Sequence, residues 1–271
     1  MSLSENLGQK ARWVRRETLK LHKLARESRI ASCLSDIEIF TVLYYGKILR
    51  YDPKNLLWPD RDRFVVSKGH GAVSIYPILA DLGFFDKEQL AKIGTAESFL
   101  GVIPDTSVPG FETINGSLGH GLGVACGMAL ALKKRKADNR VFVVCGDGEL
   151  NEGAVWEAVM FAGYHGLGNL ILIIDNNKIS MLGFQKDILG LDPVEGKFEA
   201  FGWSARRANG HDVQQLYNAL LDLKNDRSRR PKVLVADTVK GNGVKDLENQ
   251  PLSHVMSLST EQIDAIVGTT Q

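Results

Sequence analysis

Val141-Phe142-Val143-Val144-Cys145-Gly146-Asp147-Gly148 and, further on, Leu170-Ile171-Leu172-Ile173-Ile174-Asp175-Asn176-Asn177 are the two stretches that decide the fold. Each is an unbroken apolar run of strand length that ends on polar, turn-forming residues. A strand with one wet face alternates apolar and polar side chains. A run without alternation suits a strand covered by helices on both faces of a parallel sheet. Working outward, β-rich segments at 64–66, 203–208 and 233–236 alternate with helical spacing at 72–82, 154–164, 194–201 and 213–223. That rhythm is βαβ. Ahead of it, helical spacing over 7–25 and 34–49 predicts an N-terminal helical layer. The expected fold is α/β: a doubly wound, mostly parallel sheet with helices on both faces and that added layer. No repeat, low-complexity linker or clear boundary divides the chain, so residues 1–271 are expected to form one domain.

With 271 residues, 44% hydrophobic and 24% charged, the chain has ample material for a core. Its net charge is +1, and its basic runs, such as Lys133-Lys134-Arg135-Lys136, are short. Nothing electrostatic favours a nucleic acid or a membrane as partner. Cys33, Cys126 and Cys145 are odd in number and lack metal-ligand spacing, which suits a reducing compartment. No signal-peptide core opens the chain, and no apolar run approaches the roughly 20 residues of a membrane span. A cytoplasmic location is expected.

Parallel α/β sheets bind ligands beyond the carboxyl ends of their strands, and Asp147 and Asn177 both stand there. A magnesium ion takes hard oxygen ligands and often completes its shell with phosphate oxygens. Asp147 offers a carboxylate and Asn177 a neutral amide oxygen. The glycines beside Asp147 let the backbone approach a phosphate, and a helix starting near residue 151 offers free N–H groups. A diphosphate cofactor held through Mg²⁺ is the reading. The glycine-rich run Gly116-Ser117-Leu118-Gly119-His120-Gly121 lacks a strand immediately before it and does not fit the dinucleotide fingerprint. Long irregular stretches at 94–118, 176–193 and after 241 are candidates for functional loops.

Taken together, the Gly-Asp-Gly turn, the acidic Glu152 beyond it, a helix, a second apolar strand and Asp175-Asn176-Asn177-Lys178-Ile179-Ser180 resemble the thiamin diphosphate signature. Arg61-Asp62-Arg63-Phe64, Ser67-Lys68-Gly69-His70-Gly71 and Asn115-Gly116-Ser117-Leu118-Gly119-His120-Gly121-Leu122 extend the likeness. Over residues 19–254 the chain resembles the N-terminal, diphosphate-binding part of transketolase. The resemblance implies that Asp147, Asn177 and the carbonyl of Ile179 bind magnesium. It places Gly146, Gly148, Glu149, Asn177 and Ile179 at the cofactor, with Gly116, Ser117 and Leu118 toward its pyrimidine side. His70 and His254 are expected to contact cofactor and reaction zone and to handle protons. Glu152, grouped with them as catalytic, is expected at a subunit interface. His120, His165 and His211 read as structural, Lys68 and Lys178 as phosphate-attracting or solvent-facing, and Cys145 as core.

Two departures matter. Transketolases typically carry Gly-His-Pro in the helical layer and again in the long loop, where this chain reads Ser28-Arg29-Ile30 and Val102-Ile103-Pro104. Ile103 removes a partner for a hydroxyl, and a site lacking that partner discriminates poorly for it. Arg29 adds a permanent, fork-shaped cation suited to an anion. Arg29 and Ile103 are therefore the expected substrate residues, facing a deoxy, branched or carboxylated compound. Full transketolases also continue into pyrimidine-binding and C-terminal domains. A separate subunit is expected to supply the pyrimidine-side glutamate, in an α2β2 assembly. The implied activity is that of the N-terminal subunit of a split transketolase, moving a two-carbon ketol unit from a ketose to an aldehyde. The alternatives are decarboxylation of a 2-oxo acid such as pyruvate with acyl transfer to a carbonyl, and a non-catalytic regulatory subunit.

Overall fold

A computed structural model describes residues 2–114, 116–181 and 183–269. Helix α1 (Leu3–Leu24) opens on a capping box: Glu5 N donates to the Ser2 hydroxyl at 3.2 Å and Ser2 N donates to the Glu5 carboxylate at 2.7 Å. One face, including Leu7, Val14 and Leu21, is buried. The single helix expected over 34–49 is instead two, α2 (Ile30–Ser35) and α3 (Ile37–Tyr45). Asp36 separates them at φ −109°, ψ 8°. Its carboxylate is buried beside the Lys68 ammonium at 3.0 Å, a charge pair that helical periodicity does not reveal.

Strand β1 (Arg63–Val66) leads through a 3-10 turn at Gly69–Ser74 into α4 (Ile75–Leu82), which ends at Gly83 in the left-handed conformation, φ 84°. Helix α5 (Gly121–Lys134) follows. Gly121, Gly123 and Gly127 blur its apolar spacing. Gly121 itself is required by close approach, since a Cβ there would stand 2.5 Å from the Ser67 hydroxyl. The remaining elements are β2 (Val141–Gly146), a 3-10 turn at Gly148–Asn151, α6 (Gly153–His165), β3 (Leu170–Asn176), α7 (Gln185–Leu189), α8 (Val194–Ala200), β4 (Ser204–Asn209), α9 (Val213–Asn225), β5 (Lys232–Asp237) and α10 (Thr260–Thr269).

The strands lie in the order β1-β2-β3-β5-β4, and every pairing is parallel. All five carboxyl ends therefore open on one edge. Alternate residues of the central strands enter different cores. Phe142, Val144, Ile171, Ile173 and Leu234 pack with α1 to α4 and α9, whereas Val143, Cys145, Leu172, Ile174 and Val235 pack with α5, α6 and α8. This is the doubly wound arrangement. The three cysteines are buried and free. Among the described residues, no helix is long and apolar enough to cross a membrane.

Candidate active site

The polar groups of interest stand just past the strand ends. After β1, Lys68 turns inward and is 1% exposed. Its ammonium hydrogen-bonds to Asp175 Oδ2 at the end of β3, lies 3.0 Å from Asp36 Oδ2 and donates to Ser32 O at 3.2 Å. Ser35 Oγ donates to Asp175 at 2.6 Å, and Thr238 Oγ1 donates to its other oxygen. Burial alone would raise Asp175, but the Lys68 charge and these hydrogen bonds outweigh it and hold the carboxyl at about 2. Burial opposes charge on Lys68 as well, and the two carboxylates overcome it and push the ammonium up. One ammonium cannot compensate two buried acids equally, and burial pushes Asp36 up to about 8. Lys68 thus does not point to solvent; it joins three segments in the floor and borders the cleft above it. Lys178, by contrast, is exposed, 3.3 Å from Asp237.

Over this floor lies an open cleft of about 430 Å³ bordered by Arg29, His70, Gly116, Leu118, Asp147, Gly148, Glu152, Asn177, Ile179, Lys240 and His254. Asp147 Oδ1 accepts from Gly148 N at 2.8 Å and Oδ2 accepts from Lys178 N at 2.5 Å. Asn177 Nδ2 donates to Asp175 at 2.9 Å, and Asn177 Oδ1 accepts from Ile179 N at 3.2 Å. The Ile179 carbonyl accepts from Lys240 Nζ at 2.9 Å. Lys240, 2% exposed, received no role from the sequence. Its one signal is a Lys-Gly pair beyond an apolar strand, the same pattern as Lys68-Gly69 after β1. Burial, then the charge of Lys68, lowers Lys240 to about 8. Burial, then the charge of Asp175, raises Asp147 to about 6.

Lys240 Nζ also lies 3.1 Å from His254 Nδ1. An ammonium has no acceptor to offer, so Nδ1 accepts the hydrogen bond from Lys240 and the ring N–H sits on Nε2. The His254 and His70 rings are 5.0 Å apart at 59°. Burial and the charge of Lys68 lower His70 to about 2, and burial with Lys240 and Arg29 lowers His254 to about 4. Both imidazoles are therefore neutral near pH 7 and can offer directional hydrogen bonds. His211 is structural: it accepts from Val239 N at 2.7 Å and pairs with Glu38 at 2.9 Å, fixing the segment that carries Lys240.

Three expected contacts fall differently. Glu149 borders the cleft but is 2% exposed, and its carboxylate accepts from Ser67 Oγ, Gly119 N at 2.8 Å and Gly146 N at 3.2 Å. It ties together the loops that carry Ser67, Gly119 and Gly146. Ser117 is exposed, pairs with His120 Nδ1 at 3.3 Å and does not border the cleft, although its neighbours Gly116 and Leu118 do. Ile103, 45% exposed, does not border the cleft directly; its Cγ2 lies 3.3 Å from the position a Cβ on Gly116 would take. Arg29 is exposed and Glu152 stands at the rim, at the start of α6. Asn115 lies outside the described residues.

Among the described residues no three His, Cys, Asp or Glu cluster to hold a metal. Asp147, Asn177 and the Ile179 carbonyl form an all-oxygen set with a single carboxylate, a poor cage for a bare cation and a good one for a cation sharing phosphate oxygens. The residues present fit a metal-bridged diphosphate.

A parallel α/β sheet that gathers such an oxygen set, a buried lysine and two neutral imidazoles at its strand ends defines a diphosphate-binding domain. The family described as transketolase, thiamine diphosphate binding domain, matches residues 24–269, and the chain belongs to it. It is 38% identical over 252 residues to a chain of Actinobacillus succinogenes named as a subunit of apulose-4-phosphate transketolase, covering 92% of this chain and 90% of that one. It is 35% identical to the 6-deoxy-6-sulfo-D-fructose transketolase subunit SqwG of Clostridium sp. (strain MSTE9), covering 97% and 95%. The transketolase structure from Campylobacter jejuni superposes with a TM-score of 0.90 at 32% identity, over 98% of this chain but 43% of that chain.

Proposed function

We propose that this chain is the cofactor-anchoring N-terminal subunit of a two-chain transketolase that moves a ketol unit from a non-standard ketose to an aldehyde. The observation that carries the reading is the likeness to chains that are themselves named as transketolase subunits. Two relatives matched over nine-tenths or more of their own length are named as transketolase subunits, whereas the solved transketolase is matched over 43% of its chain. Those relatives' names specify apulose-4-phosphate and a deoxy, sulfonated fructose. Both fit a site where Arg29 replaces a neutral hydroxyl-reading group with a cation at the cleft and the apolar Ile103 stands behind Gly116. The 2-oxo acid alternative finds no counterpart in those names.

In this reading Asp147, Asn177 and the Ile179 carbonyl hold Mg²⁺ against the diphosphate, and residues 1–271 act as one domain. Thiamin diphosphate, when bound, supplies the carbon–carbon cleavage and re-formation beside a carbonyl. The chain's own residues do the rest. Lys240 adds positive charge at the diphosphate end and fixes the His254 tautomer. His254 Nε2–H and the neutral His70 orient substrate oxygens and relay a proton between them. Arg29 engages an anionic group. A second, separately encoded chain supplies the pyrimidine-side glutamate, in an α2β2 complex located in the cytoplasm.

The test is to combine the chain with its partner, thiamin diphosphate and Mg²⁺, and to assay ketol transfer from branched, deoxy and ordinary ketose phosphates. Transfer that needs both chains and prefers the unusual donors is expected. Carbon dioxide release from pyruvate without ketol transfer would overturn the reading in favour of the 2-oxo acid alternative.

A further inference from the structure

Two segments that reach the cleft are joined behind it by His22, which takes no part in the chemistry proposed above. His22 lies near the end of α1 and is fully buried, with Nδ1 2.6 Å from Ser28 Oγ and Nε2 3.1 Å from Ser257 Oγ. Burial, then the charge of Arg26, lowers it to about 4, so the ring is neutral near pH 7. A neutral imidazole donates from one nitrogen and accepts at the other, and a hydroxyl can do either. Both serines are therefore held by directional bonds, whichever tautomer is present.

Each serine leads to a residue of the cleft. Ser28 is buried and immediately precedes Arg29, the residue that opens α2. Ser257 follows His254 by three residues. Arg29 and His254 both border the cleft, and the Arg29 charge is felt at the imidazole. Lys240 fixes the His254 ring at Nδ1, and His22 fixes the chain that carries it. Two further ties join the same segments, Lys23 to Asp264 at 2.7 Å and Arg26 to Thr260 at 2.8 Å. Both are exposed, where water competes for them, so the buried bridge sets the position. Ser28 and Arg29 also stand together where the typical pattern has Gly-His, so the cation and the hydroxyl that anchors it enter as a pair.

We propose that His22 is a positioning residue for substrate choice: through Ser28 and Ser257 it holds Arg29 and His254 in fixed relation across the cleft, which favours a donor with an anionic group beside its reacting carbonyl. The proposal deepens the ketol-transfer reading and rests on it.

The test compares two donors of the same two-carbon unit in the complete two-chain complex. 3-Hydroxypyruvate carries a carboxylate beside the carbonyl and loses it as carbon dioxide, whereas erythrulose is neutral. His22→Phe keeps a ring in place and removes both bonds. It should lower the ratio of kcat/KM for hydroxypyruvate over erythrulose at least about tenfold, with the affinity for magnesium and thiamin diphosphate changed less than about twofold. In an Arg29→Gln background the same substitution should leave the ratio unchanged, because both act through one contact. Ser257→Ala removes one arm at an exposed residue and should lower the ratio in the same direction, which keeps the test open if His22→Phe does not fold. On the chain alone, hydrogen exchange in residues 253–258 should speed at least about fivefold in either variant. An unchanged ratio, a tenfold fall that persists without Arg29, or unchanged exchange would each overturn the proposal. No transfer from either donor by the wild-type complex would overturn the ketol reading and the substrate role with it, while exchange on the chain alone still shows whether the bridge stands.

Discussion

Lys68 with Asp175, and Lys240 with Asp147, are two sets of the same residue types at the same edge of one sheet, yet their environments are opposite. In the floor, Asp175 receives Lys68, Ser35, Thr238 and Asn177, and the carboxyl is held at about 2. In the cleft, Lys240 contacts a carbonyl and an imidazole, and Asp147 contacts backbone N–H groups. Their values converge to about 8 and about 6. A buried charge with a complete set of partners holds the protein together. A buried charge without one is poised for a ligand that completes it.

The comparison breaks most visibly at Lys68. Lys68→Met leaves Asp175 and Asp36 buried without their cation and should cost about 3–5 kcal/mol. Urea unfolding measures it, and a loss below about 1 kcal/mol would mean the floor is not the clamp described. Asp147→Ala should do the reverse, lowering the affinity for magnesium and thiamin diphosphate by about 100-fold or more while leaving the unfolding midpoint nearly unchanged. Calorimetry and thermal unfolding on one sample separate the two effects.

Asp36 sharpens the contrast through pH. Its folded value of about 8 exceeds the ordinary 3.8, so the folded state binds the extra proton between those limits. Its contribution to stability is fully present below pH 4 and is lost as pH rises toward 8. Asp36→Asn should therefore gain on the order of 1–2 kcal/mol over the wild type at pH 8 and little at pH 4. The same gain at both pH values would contradict the assignment. The smallest effect is expected from Ile103→His. It restores a hydroxyl partner near Gly116 and should shift kcat/KM toward ordinary ketose phosphates by a few-fold to about tenfold, without moving stability.

Much of this was legible. Unalternating runs at 141–145 and 170–174 disclosed a sheet covered on both faces, and Asp147 and Asn177 sit at strand ends where the topology concentrates ligands. Local periodicity carried that information. What it could not carry is pairing between distant segments. The break at Asp36 depends on Lys68, and Lys240 acquires meaning only beside Ile179 and His254. The bonds that Glu149 makes were hidden for the same reason. An acid next to Gly-Asp-Gly reads as a ligand contact until Ser67 and Gly119, from two other loops, are seen to occupy it.

The separation of the two cores by the sheet has an evolutionary corollary. Side chains from the α1–α4 layer and from the α5, α6 and α8 layer reach opposite sides of the same strands and belong to different clusters. Substitutions on one side should combine additively with those on the other where they lie more than about 7–10 Å apart and share no partner. One layer can then drift, or be reshaped for a new neighbour, while the opposite layer keeps the strand ends in register. A lineage can thus exchange partners or substrates without refounding its cofactor anchor.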